Sequence, residues 1–225
     1  MLRKTDLDHI QNSLAELDVA RDSVSEASRV CVRSSNRAII ELHRGDLKRA
    51  AEHIAGAEEA LRDLERALGK RRELKCMGAV TLAYQEYAEA KLHFGMATKD
   101  RILSFREVGV EVEPYLLGLL DFIGELRRMC LNYLRAGELS RSESILKMME
   151  GIYEDLYSID HTAIISGFRP KMDAARRIIE STRGDVVSES RKLMLENALR
   201  DFEERVFGRL SAQKGGCRRS GASSA

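Results

Sequence analysis

Apolar residues recur every three or four positions along most of the chain, which is the spacing of one face of an α-helix. This pattern predicts long helices over about 5–43, 47–68, 72–97, 113–134, 140–158, 169–183 and 188–207. No stretch alternates apolar and polar residues for long enough to require a strand. We therefore expect an all-α fold, a single bundle of about six or seven long antiparallel helices with no sheet.

Residues that favour helix ends stand at several of the predicted boundaries. Gly45 can end the first helix and Asp46 can cap the second. Pro114 suits the first turn of a later helix, where its missing N–H has no partner to lose. The chain of 225 residues then predicts one helical domain over about 1–207, and the Gly- and Ser-rich residues 208–225 predict a disordered tail.

Composition narrows the class of protein further. A charged content of 32% with only two prolines and 5% aromatic residues is typical of an all-helical protein. The four cysteines have no metal-ligand spacing, and the charged N-terminus contains no apolar signal segment. No apolar run is long enough to span a membrane. We therefore expect a cytoplasmic protein without a membrane partner.

Basic residues follow one side of the first helix. Arg29, Arg33, Arg37 and Arg44 return at intervals of four, four and seven residues, which places them on a common face. One interpretation is a solvated face balanced by acidic residues of the same helix. The other is a surface that holds phosphates, because guanidinium groups match phosphate oxygens. The net charge of +1 excludes wholesale coating of nucleic acid but leaves a local basic surface open.

Two glutamates stand out on the third predicted helix. Glu86 and Glu89 are three residues apart and share a helix face with small and apolar residues. Ionised carboxylates in such surroundings need a positive partner or a bound cation. A buried salt bridge to another helix and a cation site both meet that need. His93, one turn beyond Glu89, is expected to be a core or surface histidine rather than a ligand.

Two more acids lie one turn apart on the 113–134 helix. Asp121 and Glu125 share their side with Arg128 and Asn132, so an ordinary solvated face is one interpretation. If this helix is the antiparallel neighbour of the third, the four carboxylates meet and repel one another. Oxygen-only ligands suit Mg²⁺ or Mn²⁺. A hard cation there could activate a water and orient a phosphate, which is the chemistry of a metal-dependent nuclease.

Two segments resemble the translin family, and within it the catalytic, Trax-type members. The resemblance covers most of the chain and is most specific over residues 85–90 and 115–132. It is carried by Gln85-Glu86-Tyr87, Glu89-Ala90, Tyr115-Leu116-Leu117-Gly118, Asp121, Gly124-Glu125-Leu126, Arg128-Met129-Cys130 and Asn132.

The resemblance implies a function. It assigns the catalytic centre to Glu86, Glu89, Asp121 and Glu125, with Mg²⁺ as cofactor and Mn²⁺ as a substitute. Arg29, Arg33, Arg37, Arg44 and Arg128 become candidates for holding the nucleic-acid backbone. The expected activity is endoribonucleolytic cleavage of single-stranded RNA, with single-stranded DNA a further candidate ligand. The expected assembly is a hollow homo-oligomer of about eight subunits.

Two other hypotheses stay open on the sequence alone. The first is a non-catalytic, translin-like protein that binds RNA or single-stranded DNA without cutting it. The second is a helical scaffold in which the four acids pair with arginines.

Overall fold

The computed structural model describes residues 2–216, and these residues form eight α-helices and no strand. The helices are α1 (Lys4–Arg44), α2 (Leu47–Leu68), α3 (Arg72–Lys75), α4 (Gly78–Lys99), α5 (Phe105–Val108), α6 (Val112–Arg135), α7 (Leu139–Tyr157) and α8 (Phe168–Gly216). A single 3₁₀ turn, Thr162–Ile164, precedes α8. The all-α prediction is confirmed.

Local chemistry fixes the boundary between α1 and α2 where the sequence predicted it. Gly45 ends α1 in the left-handed conformation with φ of 77°, which a residue without a Cβ adopts at little cost. The side chain of Asp46 accepts a hydrogen bond of 3.0 Å from the backbone N–H of Arg49 and so caps α2. The two helices form an antiparallel hairpin, in which Gly56 lies against Ser34.

The helices α4 and α6 lie side by side but run in the same direction, which corrects the prediction that they are antiparallel neighbours. Gly118 lies against Ala88, and further along both helices Glu125 lies beside His93. The linker 100–111 makes this possible. Extended, it can reach about 40 Å, more than the roughly 33 Å length of α4, so the chain can return before α6 begins.

Two further long helices share this direction. The thiol of Cys31 on α1 lies 3.4 Å from the carbonyl oxygen of Ala83 on α4, and His43 lies beside His93 near the other end. On α8, Lys171 pairs with Asp121, and Thr182 bonds to Arg127 further along. The bundle therefore contains four co-directional helices, α1, α4, α6 and α8.

The helix α6 forms the centre of the core. It packs against α4, α7 and α8, and the side chains of Phe122, Ile123, Leu126 and Cys130 are 0% exposed. The helix α6 is buried on more sides than one apolar stripe implies. Because it is fixed on several sides, the acidic side chains that it carries have defined positions.

The last helix differs from the prediction. Residues 169–183 and 188–207 were expected to form two helices, whereas the structure continues as one helix from Phe168 to Gly216. Gly184 does not break it, since a glycine inside a helix costs only about 1 kcal/mol relative to alanine. Residues 208–216 of the predicted disordered tail are thus helical, and residues 217–225 lie outside the described part. The predicted domain division stays a prediction.

Smaller differences concern the third predicted helix and the loop after it. The predicted helix 72–97 is divided into α3 and α4, and the predicted loop 98–112 contains the short helix α5. Within residues 2–216, no helix is long and apolar enough to cross a membrane.

Candidate functional site

Gly118 sets the distance between α4 and α6 at the position of the acidic residues. A Cβ atom at Gly118 would lie 2.8 Å from the Cβ of Ala88 and 2.9 Å from the carbonyl oxygen of Gln85. The backbone nitrogen of Glu89 would be 3.1 Å away. Only a glycine permits this approach, so α6 passes directly beside the turn of α4 that carries Glu86 and Glu89.

Three of the four predicted acids line one open cleft beside this contact. The cleft has a volume of about 500 Å³, and Glu86, Glu89 and Asp121 contribute its carboxylates. Lys171 reaches the same cleft from α8 and forms an ion pair with Asp121. The side-chain amide of Gln85 donates a hydrogen bond of 2.7 Å to the other oxygen of Asp121.

The carboxyl groups on α4 are electrostatically strained. Burial raises the pKa of Glu89 to about 8, and the negative charges of Asp121 and Glu86 add to the increase. Burial and then the charge of Asp121 also raise the pKa of Glu86. The positive charge of Lys171 opposes both shifts but does not cancel them. A proton or a cation is therefore needed to relieve the repulsion.

The fourth acid, Glu125, lies one turn further along α6 than Asp121. Its Oε2 atom lies 2.7 Å from Nε2 of His43 and 3.8 Å from Nδ1 of His93. Glu125 does not line the cleft, but its charge is one of those that raise the pKa of Glu89. The acids therefore form a set of three with a close fourth, rather than four facing carboxylates.

The scaffold hypothesis required the acids to pair with arginines. In the described part of the chain, none of the four acids forms an ion pair with an arginine. Asp121 is compensated by Lys171, and Glu125 lies against two histidines. Charge compensation therefore exists for Asp121, and it comes from a lysine rather than from an arginine.

The arginines of α1 lie on an exposed surface and are partly neutralised there. Glu26 pairs with Arg29 at 2.6 Å and with Arg33 at 3.5 Å, and Glu41 pairs with Arg44 at 2.9 Å. Arg37 and Arg128 are also exposed. Among residues 2–216, no carboxylate forms an ion pair with either of them. Acidic residues of α1 thus balance part of the row, as the first interpretation expected, and the phosphate-binding interpretation stays a prediction.

Sequence reasoning missed Lys171 and His43. Lys171 lies at the start of a helix more than forty positions away in the chain from the acids it meets. No local pattern marks either residue, because each reaches the acidic region only through the packing of another helix.

The donor set of the cleft fits a hard divalent cation. All its carboxylates offer oxygen, and Gln85 holds Asp121 in place. The raised carboxyl pKa values mark a site where a positive charge would lower the electrostatic energy. Lys171 already supplies one such charge, so a cation would share Asp121 with it or displace it.

The fold and the site together define a class: an all-α bundle with an acidic cleft between co-directional helices. Residues 19–181 match the family model described as the Translin family. An uncharacterized protein from Methanocaldococcus jannaschii is 30% identical over 200 residues, which cover 87% of each chain. The chain belongs to the translin family.

Solved structures show the same fold. The structure of an AfC3PO–duplex RNA complex is similar with a TM-score of 0.73 and 26% identity, and the match covers 82% of this chain and 96% of that one. The crystal structure of apo-NeC3PO is similar with a TM-score of 0.74 and 23% identity, covering 84% and 98%.

The contact at Gly118 generates a first prediction. We expect Gly118→Ala to lower the free energy of unfolding by about 1–3 kcal/mol, because the added methyl group meets the backbone of α4. Gly124→Ala is the matched control on the same helix, since nothing lies within 4 Å of its Cβ position. It should be neutral or stabilise by up to about 1 kcal/mol. Urea denaturation measures both, and equal effects would contradict the close approach.

The raised pKa of Glu89 generates a second prediction. In the unfolded chain, Glu89 loses its proton as the pH rises above its ordinary pKa of 4.5. In the folded protein, its pKa is about 8, so the proton is retained to higher pH. The wild type therefore loses stability as the pH rises through this interval. We expect Glu89→Gln to raise the Tm by about 5 °C at pH 8 in chelator-treated buffer. The gain should vanish near pH 4.5.

The control for this experiment is Glu143→Gln, an exposed position on α7. Its Tm should follow that of the wild type at every pH. A Glu89→Gln protein that is no more stable than the wild type at pH 8 would show that Glu89 is not strained in the folded state.

Proposed function

We propose that this protein is a cytoplasmic, Mg²⁺-dependent endoribonuclease of the Trax type, which cleaves single-stranded RNA inside a hollow homo-oligomer. The proposed catalytic and metal-binding residues are Glu86, Glu89, Asp121 and Glu125. The observation that carries the proposal is the convergence of three carboxylates, two of them with raised pKa values, in one open cleft.

Each residue of the cleft has a role that follows from its contacts. Glu86, Glu89 and Asp121 would hold the cation from inside the cleft, and Glu125 would reach it from the next turn of α6. Gln85 orients Asp121 through its amide hydrogen bond. Lys171 offers a positive charge at the edge of the cleft, where a phosphate of the substrate can contact it. A bound Mg²⁺ would supply Lewis acidity and a water of lowered pKa.

Support for RNA as the ligand comes from the comparisons and from the exposed arginines. AfC3PO, a structural relative, is described in complex with duplex RNA. In this chain, the exposed groups proposed to contact phosphates are Arg29, Arg33, Arg37, Arg44 and Arg128. Arg128 lies close enough to His43 for its charge to contribute to lowering the pKa of that histidine, which is next to Glu125. Backbone contacts of this kind are salt-sensitive and carry no sequence preference.

Support for self-association comes from apolar side chains without a partner in one copy. The first turns of α1 expose Leu7, Ile10 and Leu14, and the second half of α8 exposes Leu199 and Phe202. Long helices that project beyond a core in this way gain stability by packing against other copies. The proposed assembly has about eight subunits.

A second function has one observation in its favour. Asp121 is already compensated by Lys171 and Gln85, so this acid does not need a cation. A protein with that arrangement could bind RNA or single-stranded DNA on its arginines without cutting it. The two functions differ in whether strand length changes when Mg²⁺ is added.

The test uses end-labelled single-stranded RNA, duplex RNA and single-stranded DNA of one sequence, each with Mg²⁺ or with EDTA. We expect the wild type to retain single-stranded RNA in both buffers and to shorten it only with Mg²⁺. Glu89→Gln should retain the RNA, and its cleavage rate should fall by at least about 100-fold. Glu143→Gln, on the exposed face of α7, should cleave like the wild type.

The outcomes separate the candidates. Retention without cleavage by the wild type would favour the binding protein. Mg²⁺-dependent cleavage by Glu89→Gln at the wild-type rate would contradict the assignment of the cleft. Preferential cutting of duplex RNA would keep the site but change its substrate.

A further inference from the structure

Three side chains from three helices meet beside the acidic cleft. His43 comes from α1, His93 from α4 and Glu125 from α6. One donor atom of each lies within 4.8 Å of the other two, and the closest pair is His43 Nε2 and Glu125 Oε2 at 2.7 Å. Neither histidine was expected to bind a metal from the sequence.

The donor atoms of this cluster are buried and lack hydrogen bonds. Nε2 of His43, Nδ1 of His93 and Oε2 of Glu125 are all inaccessible to solvent and without an aligned partner. Within the cluster, the closest contact is the 2.7 Å between Nε2 of His43 and Oε2 of Glu125. His93 is only 3% exposed, so water does not replace the missing bonds from outside. Buried polar atoms are rarely left in this state, and these three lie close together.

The two imidazoles are in the chemical form that binds metals. Burial lowers the pKa of His93 to about 4, with His43 and Arg128 contributing in the same direction. Burial also lowers the pKa of His43, although the charge of Glu125 opposes the shift. Burial therefore favours the neutral form of both rings, and a neutral imidazole nitrogen offers a lone pair.

We infer that His43, His93 and Glu125 form a second cation site, which takes a borderline divalent ion of the Zn²⁺ or Co²⁺ type. Two imidazoles and one carboxylate are a donor set that such ions prefer and that Mg²⁺ does not. Tetrahedral ligands about 2.1 Å from zinc stand about 3.4 Å apart, so shifts of about 1 Å bring the three donors into range. The fourth position is free for a water.

The inferred site has two consequences for the molecule. It joins α1, α4 and α6 at one point and so ties together three co-directional helices that share no short connection. It also neutralises Glu125, whose charge is one cause of the raised pKa of Glu89. Glu125 is shared with the residues proposed for the nuclease, but the inference rests on the geometry of His43, His93 and Glu125, and its test needs no RNA.

The test titrates the chelator-stripped, full-length protein with Co²⁺ in the presence of excess Mg²⁺. Visible absorption reports nitrogen-containing coordination of low symmetry, and competition with Zn²⁺ gives the affinity. We expect one strong site per chain. His43→Gln and His93→Gln should each weaken it by about 100-fold or more, since loss of an outer-shell group alone costs roughly 10–100-fold.

Two control variants define the site. His9→Gln replaces an exposed histidine of α1 and should leave Co²⁺ affinity unchanged. Asp121→Asn removes an acid of the cleft and should also retain the Co²⁺ spectrum, even where cleavage is lost. A failure of the nuclease proposal therefore does not affect this result.

The wild type alone keeps the inference testable if a buried-histidine variant does not fold. X-ray absorption of the Zn²⁺-loaded protein should show imidazole scattering at the distance of direct ligands. Absence of a Co²⁺ spectrum, absence of imidazole scattering, or wild-type affinity in both folded histidine variants would each overturn the inference.

Discussion

The structure depends on the close packing of α4 against α6, which places like charges together in a partly buried space. Gly118 allows the two backbones to approach, and the approach brings Glu86, Glu89 and Asp121 into one cleft. Packing energy from the fully buried side chains of α6 holds this arrangement against the repulsion. Lys171 offsets part of the repulsion, and the repulsion that remains contributes to the raised pKa of Glu89. The packing of the helices is thus sufficient to maintain the cleft, and the remaining repulsion between its carboxylates favours binding of a cation.

Features of the fold that depend on residues close together in the sequence could be predicted from the sequence. The pattern of α2 and its capping residue give Leu47–Leu68, the bounds that the structure has. The direction of α6 relative to α4 could not be predicted in this way. It depends on how the 100–111 linker packs. The hydroxyl of Tyr115 on α6 donates a hydrogen bond to the carbonyl oxygen of Leu103 in this linker, and this contact forms only in the folded state.

The same division applies to the site. The spacing of Glu86 and Glu89 on one turn is local, so their shared position could be predicted, as could their need for a positive partner. The identity of the partner could not, because Lys171 and His43 arrive from helices distant in sequence. Glu125 shows the limit most clearly. One turn from Asp121, it contacts different side chains, because it lies about 6 Å further along the helix and the neighbouring helices decide what lies there.

The central claim is that the cleft between α4 and α6 binds a hard divalent cation, and a crystal grown with Mn²⁺ tests it most directly. Anomalous scattering identifies manganese without reference to activity or to RNA. The account predicts a manganese peak in contact with carboxylate oxygens of Glu89 and Asp121, and loss of that peak in Asp121→Asn crystals. A cleft without manganese at saturating concentration, with Lys171 still paired to Asp121, would contradict it.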